Sequence, residues 1–302
     1  MPRKIFIAGE NGQVAKALAR TYRTRGDMVK SAGRGTVDVA NEAATLRAIV
    51  DFKPDLVINA AAYTAVDKAE DEVEQAYKVN RDGARHVASA ARAAGAPLVH
   101  ISTDYVFDGG KKSPYVESDP TNPIGVYGKS KLAGEAAVAA ATPDHVILRT
   151  SWVCSPDGNN FVKTMLRLAS ERDELSVVDD QWGAPTFAAD LADAIASIGE
   201  KLLTTSNRQS LHGIYHATGT GETTWCRFAR AIMEKSAARG GPSCRVRAIP
   251  SSDYPTRARR PENSRLDCSK LAQSFGLRLP EWQTSLDRCL DQLIAANYGA
   301  SV

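Results

Sequence analysis

The architecture of this chain follows from Ile5-Phe6-Ile7-Ala8-Gly9-Glu10-Asn11-Gly12-Gln13-Val14-Ala15, close to its beginning. The first four residues predict a buried strand, because a strand covered on both faces has few polar positions. Two glycines follow, at Gly9 and Gly12, and apolar residues then recur at every fourth position from Val14 to Tyr22. That spacing is typical of a helix. The stretch therefore predicts a strand, a tight turn and a helix.

A turn of this kind suits the pyrophosphate of a dinucleotide. Gly9 would allow the tight turn, Gly12 would let the backbone approach the phosphates, and Ala15 would permit close helix packing. The N-terminus of the helix also favours an anion. An ordinary glycine turn can carry the same two glycines, so the prediction of a nicotinamide dinucleotide site depends on the strand-turn-helix context.

The same alternation continues along the first half of the chain. Further strands are predicted at residues 28–29, 56–59, 98–101 and 146–148, and one long helix at residues 72–94. The pattern predicts an α/β protein with a Rossmann-type, doubly wound parallel sheet covered on both faces. Residues 1–150 are predicted to form the NAD(P)-binding domain. Residues 151–302 are predicted to form mainly a smaller substrate-binding domain, with some segments returning to the first, and 250–264 a loop over a ligand.

The composition excludes several classes of protein. The chain has 302 residues, 43% hydrophobic and 24% charged, which is ordinary for a globular protein. A net charge of +3, from 38 basic and 35 acidic residues, gives no case for a nucleic-acid partner. No apolar run has membrane-spanning or signal-peptide length. The five cysteines form no CxxC pair, so we expect no metal site and a reducing, cytoplasmic location.

A second motif places a tyrosine and a lysine four residues apart, at Tyr127 and Lys131, on one face of a predicted helix. A nearby ammonium lowers the pKa of a phenol from about 10, so that the tyrosine can exchange a proton near neutral pH. The fourth strand ends just before, at Thr103, where ligands of parallel sheets bind. An exposed helical pair and a strand-end turn residue are the ordinary alternatives. The order of the three elements favours a catalytic site of Thr103, Tyr127 and Lys131.

Several stretches of the sequence resemble the dTDP-4-dehydrorhamnose reductase family, within the extended short-chain dehydrogenase/reductases. The matching stretches are Asn59-Ala60-Ala61-Ala62-Tyr63-Thr64-Ala65-Val66-Asp67-Lys68-Ala69-Glu70, Ser102-Thr103-Asp104-Tyr105-Val106-Phe107, Val126-Tyr127-Gly128-Lys129-Ser130-Lys131-Leu132-Ala133-Gly134-Glu135, Arg149-Thr150-Ser151-Trp152-Val153, Gly183-Ala184-Pro185-Thr186, and Arg260-Pro261 with Asn263-Ser264-Arg265-Leu266. The resemblance implies reduction of the C4 keto group of dTDP-4-dehydro-L-rhamnose, giving dTDP-L-rhamnose.

The resemblance also implies residue roles. Tyr127 would donate a proton to the sugar C4 oxygen, Thr103 would hydrogen-bond that oxygen, and Lys131 would hold the nicotinamide ribose. Asp104 and Trp152 would contact the sugar, although a buried turn carboxylate and a core aromatic are the alternatives. The expected cofactor contacts are Gly9, Asn11, Gly12, Gln13 and Val14 at the pyrophosphate, Asp38 and Val39 at the adenine, and Ala60, Ala61 and Ala62 under the cofactor backbone.

The segment after the second strand bears on the choice of cofactor. NAD-specific sites place an acidic residue there, on the ribose 2′-hydroxyl. This sequence has no carboxylate before Asp38 and offers Arg34, whose guanidinium can bind a 2′-phosphate. A solvated loop charge is the alternative for Arg34. We expect NADPH to be preferred, with NADH possible.

Some relatives in the family are dimers bridged by Mg²⁺ through acidic side chains. The corresponding positions here read Ala17, Ala189 and Gln292. Because magnesium prefers carboxylate oxygens, we expect a monomer or a dimer that no metal bridges.

Three other functions fit the same scaffold. The protein could reduce another nucleotide-linked 4-keto-6-deoxy sugar, since the site residues would be nearly the same. It could be an epimerase or dehydratase, which would hold NAD tightly and recycle it. It could be a non-catalytic binding subunit, but the intact Thr103, Tyr127 and Lys131 argue against that.

Overall fold

The computed structural model describes residues 2–298, with side chains up to residue 295. Within that range the strands are β1 (Lys4–Ala8), β2 (Met28–Ala32), β3 (Leu56–Asn59), β4 (Leu98–Thr103), β5 (His145–Thr150), β6 (Val153–Cys154), β7 (Glu174–Val178), β8 (Trp182–Gly183), β9 (Thr186–Phe187), β10 (Gly213–His216), β11 (Thr223–Thr224) and β12 (Arg245–Ile249). The helices are α1 (Gln13–Thr24), α2 (Glu42–Phe52), α3 (Val66–Ala69), α4 (Val73–Tyr77), α5 (Ala84–Ala93), α6 (Val126–Ala141), α7 (Phe161–Ala169), α8 (Ala188–Thr204), α9 (Trp225–Ala237), α10 (Ser269–Phe275) and α11 (Trp282–Tyr298).

The main sheet has six strands in the order β2-β1-β3-β4-β5-β10, and every neighbouring pair is parallel. The chain runs outward from β1 to β2 and then returns to β3 on the other side of β1. The strand order therefore reverses between β1 and β3, which is where open parallel sheets bind ligands. The predicted doubly wound parallel sheet is confirmed. Strand β10 was not predicted, and it extends the sheet beyond β5.

Helices cover both faces of this sheet, as the alternation along β1 requires. Ile5 and Ile7 lie in the core formed with α1 and α8, whereas Phe6 and Ala8 lie in the core formed with α2 and α5. All four side chains are buried. A strand buried on both faces carries no polar alternation, which explains the unbroken apolar run at the start of the chain.

The long helix predicted over residues 72–94 is interrupted in its middle. A π-helical turn at Lys78–Gly83 separates α4 from α5. Asn80, within that turn, accepts a hydrogen bond from the Tyr63 N–H at 2.8 Å and donates one to the Ser130 hydroxyl at 2.9 Å. Such turns are frequent at functional sites. Here the turn ties the loop after β3 to α6, the helix that begins beside Tyr127.

A second core lies in the later half of the chain, where α7, α9 and α11 pack together beside the parallel pair β7 and β12. The predicted closing helix contributes its apolar face, because Leu286, Leu290, Leu293 and Ile294 are all buried. Other late segments, namely α8, β10 and α10, complete the core of the main sheet instead. The division at residue 150 stays a prediction. None of the described helices combines the length and apolar character that crossing a membrane requires.

Candidate active site

The turn between β1 and α1 is pressed against the end of β3. Gly9 has a φ of +118°, and a β-carbon there would lie 3.2 Å from the carbonyl carbon of Ala60. Both facts require glycine, because other residues rarely adopt this φ and the space is already filled. The Asn59 side chain holds the segment that follows β3 in place, because it accepts a hydrogen bond from the Ala61 N–H at 3.1 Å. The structure thus brings together Gly9, Ala60 and Ala61, three of the predicted cofactor contacts.

The N-terminus of α1 is open to a ligand. It begins after Gly12, and no side chain caps it. A β-carbon at Gly12 would meet no atom within 4 Å, so the space in front of the helix is clear. The first N–H groups of a helix lack partners within it and carry partial positive charge. These observations fit a bound pyrophosphate. Asn11 is also exposed here, whereas the Gln13 side chain is engaged by Asn160 at 2.9 Å.

The predicted adenosine contacts lie after the end of β2. Arg34 and Asp38 are exposed, while Val39 is buried and its carbonyl oxygen lies 2.8 Å from Nδ1 of His86. The Asp38 carboxylate accepts a hydrogen bond from the Ala40 N–H at 3.0 Å. Arg34 therefore lies on the surface at the carboxyl edge of the sheet, where a ribose substituent would be accessible to it.

The three predicted catalytic residues surround the end of β4. Thr103 is the last residue of this strand, and its hydroxyl donates a hydrogen bond to Oδ1 of Asp104 at 2.9 Å. The same hydroxyl lies near Tyr127, in the first turn of α6, and acts to lower the pKa of that residue. Tyr105 packs edge-on against the Tyr127 ring, with centroids 5.5 Å apart. The Lys131 ammonium donates to the Ile101 carbonyl oxygen at 2.6 Å, which holds it over β4.

The protonation of Tyr127 differs from the prediction. Burial raises the pKa of Tyr127 to about 12, a contact with the Thr103 hydroxyl opposes this rise, and the Asp104 carboxylate adds to it. The prediction that Lys131 lowers this pKa is therefore wrong for this structure, because desolvation of the phenolate dominates. A tyrosine that keeps its proton at neutral pH is suited to donate it.

Two neighbouring groups titrate closer to neutrality. Burial lowers the pKa of Lys131 to about 8, and the Glu135 carboxylate opposes that fall. Burial raises the pKa of Asp104 to about 7, and the nearby Ser264 and Thr103 hydroxyls oppose that rise. The site thus combines a protonated phenol, a hydroxyl, an ammonium and a carboxyl group, which together can stabilise negative charge and supply a proton to a reacting oxygen.

Trp152 forms part of an aromatic wall at the edge of the second core. It has a φ of +46°, a conformation that costs energy for a residue with a side chain. Its ring stacks on Trp225 with centroids 3.6 Å apart, and it lies directly over the backbone of Gly183. Trp152 is only partly buried, so part of the residue remains accessible.

Sequence reasoning missed several of these residues. Ser264, from a segment far along the chain, lies near enough to affect the pKa of Asp104, and no local pattern predicts that proximity. Trp225 likewise joins Trp152 only through the fold. Glu135 did have a signal, because it continues the four-residue spacing of Tyr127 and Lys131.

The loop predicted over a ligand contains one short 3₁₀ turn, Ser251–Asp253, and is otherwise irregular over residues 254–262. Two ion pairs hold this loop against the rest of the protein. Arg257 pairs with Asp71 at 2.5 Å, and Arg260 pairs with Asp67 at 2.7 Å. Asp67 belongs to α3, and Asp71 belongs to the turn that follows it.

The three positions considered for a metal bridge come together in the fold. Ala17, Ala189 and Gln292 all line one cavity of about 190 Å³, beside Arg20 and Arg288. Across the described part of the chain, no group of three histidine, cysteine or acidic side chains is placed to hold a metal ion. The absence of a metal bridge stays a prediction.

Comparison with known proteins gives a consistent set of relatives. The family model described as the RmlD substrate binding domain matches residues 3–295. The chain is 48% identical to the dTDP-4-dehydrorhamnose reductase of Sinorhizobium fredii, over 96% of this chain and 98% of that one. It is 43% identical to the Escherichia coli protein of the same name, over 96% and 97%.

Solved structures agree with these sequence relatives. A dTDP-4-dehydrorhamnose reductase from Bacillus anthracis, in complex with NADP, superposes with a TM-score of 0.89 at 37% identity, covering 97% of this chain and all of that one. A UDP-glucose 4-epimerase from Brucella ovis, with NAD, gives a TM-score of 0.79 at 18% identity, covering 96% of this chain and 98% of that one, which shows a shared fold alone.

Proposed function

The chain belongs to the dTDP-4-dehydrorhamnose reductase family, and from that premise we propose that it reduces the C4 keto group of dTDP-4-dehydro-L-rhamnose with NADPH, giving dTDP-L-rhamnose. The observation that carries this proposal is the cluster of Thr103, Asp104 and Tyr127 at the carboxyl end of β4. It lies on the same edge of the sheet as the uncapped N-terminus of α1. A dinucleotide bound at that helix can extend toward the cluster across the switch point.

The nicotinamide cofactor, when bound, supplies the hydride that reduces the sugar carbon. Gly9, Asn11, Gly12, Gln13 and Val14 would hold its pyrophosphate. Ala60, Ala61 and Ala62 would lie under its backbone, and Asp38 and Val39 would flank the adenine. The positive φ of Gly9 and the clear space before α1 support this placement.

The protein's own contribution is to orient the sugar and to manage the charge on its C4 oxygen. Tyr127 donates a proton to that oxygen, which is consistent with a pKa raised to about 12 and hence a phenol that is protonated before reaction. Thr103 donates a hydrogen bond to the same oxygen. Lys131 holds the nicotinamide ribose and places a positive charge beneath the site. Together these groups stabilise the negative charge that develops as the carbonyl is reduced.

Asp104 and Trp152 are proposed to contact the sugar. Asp104 is almost fully buried beside Thr103, and Trp152 remains partly accessible although its ring stacks on Trp225. The Oδ2 atom of Asp104 is buried without a hydrogen-bond partner among the described residues, so a sugar hydroxyl could donate to it.

We expect NADPH to be preferred over NADH because Arg34 is exposed after β2 and can bind a 2′-phosphate. NADH remains usable in this proposal.

The five cysteines are all free thiols, which fits the proposed cytoplasmic location. For assembly we propose a monomer, or a dimer that is not bridged by metal.

A panel of substrates tests the activity. Purified protein should oxidise NADPH when given dTDP-4-dehydro-L-rhamnose, and more slowly with other nucleotide-linked 4-keto-6-deoxy sugars. Faster turnover of another sugar would favour the alternative reductase. Protein that purifies with bound NAD and consumes no added cofactor would favour an epimerase or dehydratase.

A further inference from the structure

A buried charged cluster lies directly beneath the proposed active site, between α6 and the sheet. Its members are Lys131 and Glu135 on α6, Arg149 on β5 and Ser102 on β4, and each is at most 3% exposed. We propose that Glu135 is a positioning residue, which keeps the Lys131 ammonium charged and in place for the reaction. The proposal rests on the reductase function given above.

The geometry fixes the Glu135 carboxylate on three sides. Arg149 donates two hydrogen bonds to it, from Nε at 2.9 Å and from a terminal nitrogen at 2.7 Å. The Ser102 hydroxyl donates a third, at 2.5 Å. Paired bonds of this kind between a guanidinium and a carboxylate hold both groups in one orientation. The carboxylate is therefore held in one position between Arg149 and Ser102.

Glu135 and Lys131 are one helical turn apart, so they face the sheet together. Lys131 donates to the carbonyl oxygen of Ile101, and Glu135 accepts from Ser102, the next residue of the same strand. The acid and the base are thus anchored to consecutive residues of β4. Thr103, the following residue, lies near Tyr127. Three consecutive residues of β4 therefore connect the buried charged cluster with the active site.

Among the titratable groups around Lys131, Glu135 is the one that stabilises the charged form of its ammonium group. His100, from β4, is buried, and both burial and the Lys131 ammonium lower its pKa well below the usual range. Burial, with Arg149 as a further cause, lowers the pKa of His216 on β10 to about 3. Both imidazoles are therefore neutral at physiological pH. Asp104 lies beyond Thr103 and hydrogen-bonds to that residue, and Tyr127 is neutral.

Without Glu135, the cluster would hold two buried cations and no carboxylate. Burial alone disfavours a charged lysine, and an opposite charge close by restores it. Because the pKa of Lys131 is about 8, a further fall would remove its charge in the neutral range. A neutral amine could neither attract negative charge at the reacting oxygen nor bind the ribose as firmly.

The test follows the titration of Lys131 directly, in protein labelled with ¹³C-lysine. The ¹³Cε resonance of Lys131 is assigned by its loss in Lys131→Arg and is followed by NMR from neutral to alkaline pH. In Glu135→Gln, the midpoint should fall by about 1 pH unit. Ser102→Ala is the matched control, since it removes one hydrogen bond to the carboxylate but keeps its charge, and its midpoint should stay close to that of the wild type.

Glu135→Gln leaves Arg149 without its partner and can prevent folding. The double variant Glu135→Gln/Arg149→Met removes both charges of the pair. Its Lys131 midpoint should still lie below that of the wild type, but by less than in Glu135→Gln, because the Arg149 cation is lost as well. Equal midpoints in the wild type and in whichever of these variants folds would overturn the proposal.

A kinetic readout separates this role from a structural one. As pH rises, kcat/KM should fall when Lys131 loses its proton, and this fall should occur at lower pH in Glu135→Gln. Asp104 is present in every variant, so a difference between them does not come from its titration. A merely structural role would lower kcat/KM equally at every pH. The NMR titration needs no turnover, so a wild type that fails to reduce the sugar would contradict the proposed function and leave the test of Glu135 intact.

Discussion

The indole ring of Trp152 lies so close to the backbone of Gly183 that a β-carbon on Gly183 would come within 2.5 Å of the ring. On its other side the same ring stacks on Trp225 at 3.6 Å. Trp152 is therefore held between a backbone and a second aromatic ring, in a left-handed backbone conformation. The position of this proposed sugar contact depends on the absence of a side chain at residue 183.

Gly183→Ala should displace the Trp152 ring, because the ring cannot move toward Trp225. We expect KM for the sugar nucleotide to rise roughly tenfold, equivalent to about 1.4 kcal/mol, and overpacking to cost about 1–3 kcal/mol of stability. Steady-state kinetics and thermal unfolding measure the two effects. Gly110→Ala is the control, since its nearest neighbour would lie at an ordinary 3.5 Å. An unchanged KM in folded Gly183→Ala would remove Trp152 from the substrate site.

Tyr127→Phe should retain the ring packing against Tyr105 but lose the proton donor. We expect kcat to fall by roughly a hundredfold or more, as is typical when a general acid is lost. The affinity for NADPH, measured by fluorescence titration, should change little. Tyr105→Phe removes a neighbouring hydroxyl that has no proposed part in the chemistry, and it should cost far less. Near-normal turnover in Tyr127→Phe would exclude this residue as the proton donor.

Arg34→Ala should weaken the preference for NADPH. Loss of charge-assisted hydrogen bonds to a 2′-phosphate is expected to reduce the ratio of kcat/KM with NADPH to kcat/KM with NADH about tenfold. Arg25→Ala, at the C-terminal end of α1 and far from the carboxyl edge of β2, should leave the ratio unchanged. If the wild type favours NADH, or Arg34→Ala keeps the wild-type ratio, then Arg34 does not select the cofactor.

Chelation of divalent metal should have no effect on the protein. The cavity lined by Ala17, Ala189 and Gln292 offers methyl groups and an amide at the positions considered for a metal bridge, and magnesium prefers carboxylates. We expect EDTA to leave both activity and the molecular mass in solution unchanged. Loss of activity, or dissociation of a dimer on adding EDTA, would show that a metal is bound by other residues.

The sequence predicted the parts of the fold that local patterns determine. Five strands of the main sheet coincide with predicted apolar runs. Four of them, β1, β3, β4 and β5, are almost wholly buried, whereas β2 lies at the edge of the sheet with Met28 and Lys30 exposed. Strand β10 was missed, since Gly213–His216 has no such run and its assignment depends on pairing with β5. The two-residue strands β6, β8, β9 and β11 were missed for the same reason, because they are defined by partners distant in sequence.

The candidate site likewise has features that local sequence predicts and features that only the completed fold determines. The glycine turn, Thr103, Tyr127 and Lys131 are local motifs, and the fold brings them to one edge of the sheet. Their electrostatics could not be predicted from spacing. Tyr127 and Lys131 are one helical turn apart, yet burial decides both pKa values, and burial is a property of the completed fold. Ser264 and Trp225 join the site across long stretches of chain, which no periodicity reveals.

Transfer of a labelled hydride tests the central claim most directly. The protein is incubated with dTDP-4-dehydro-L-rhamnose and NADPH deuterated at the transferable C4 position of the nicotinamide, and the product is analysed by NMR and mass spectrometry. We predict dTDP-L-rhamnose that carries deuterium at C4 of the sugar, formed in equal amount to the NADPH oxidised. Unchanged substrate, or a product without deuterium at C4, would contradict the assignment of this protein as the reductase.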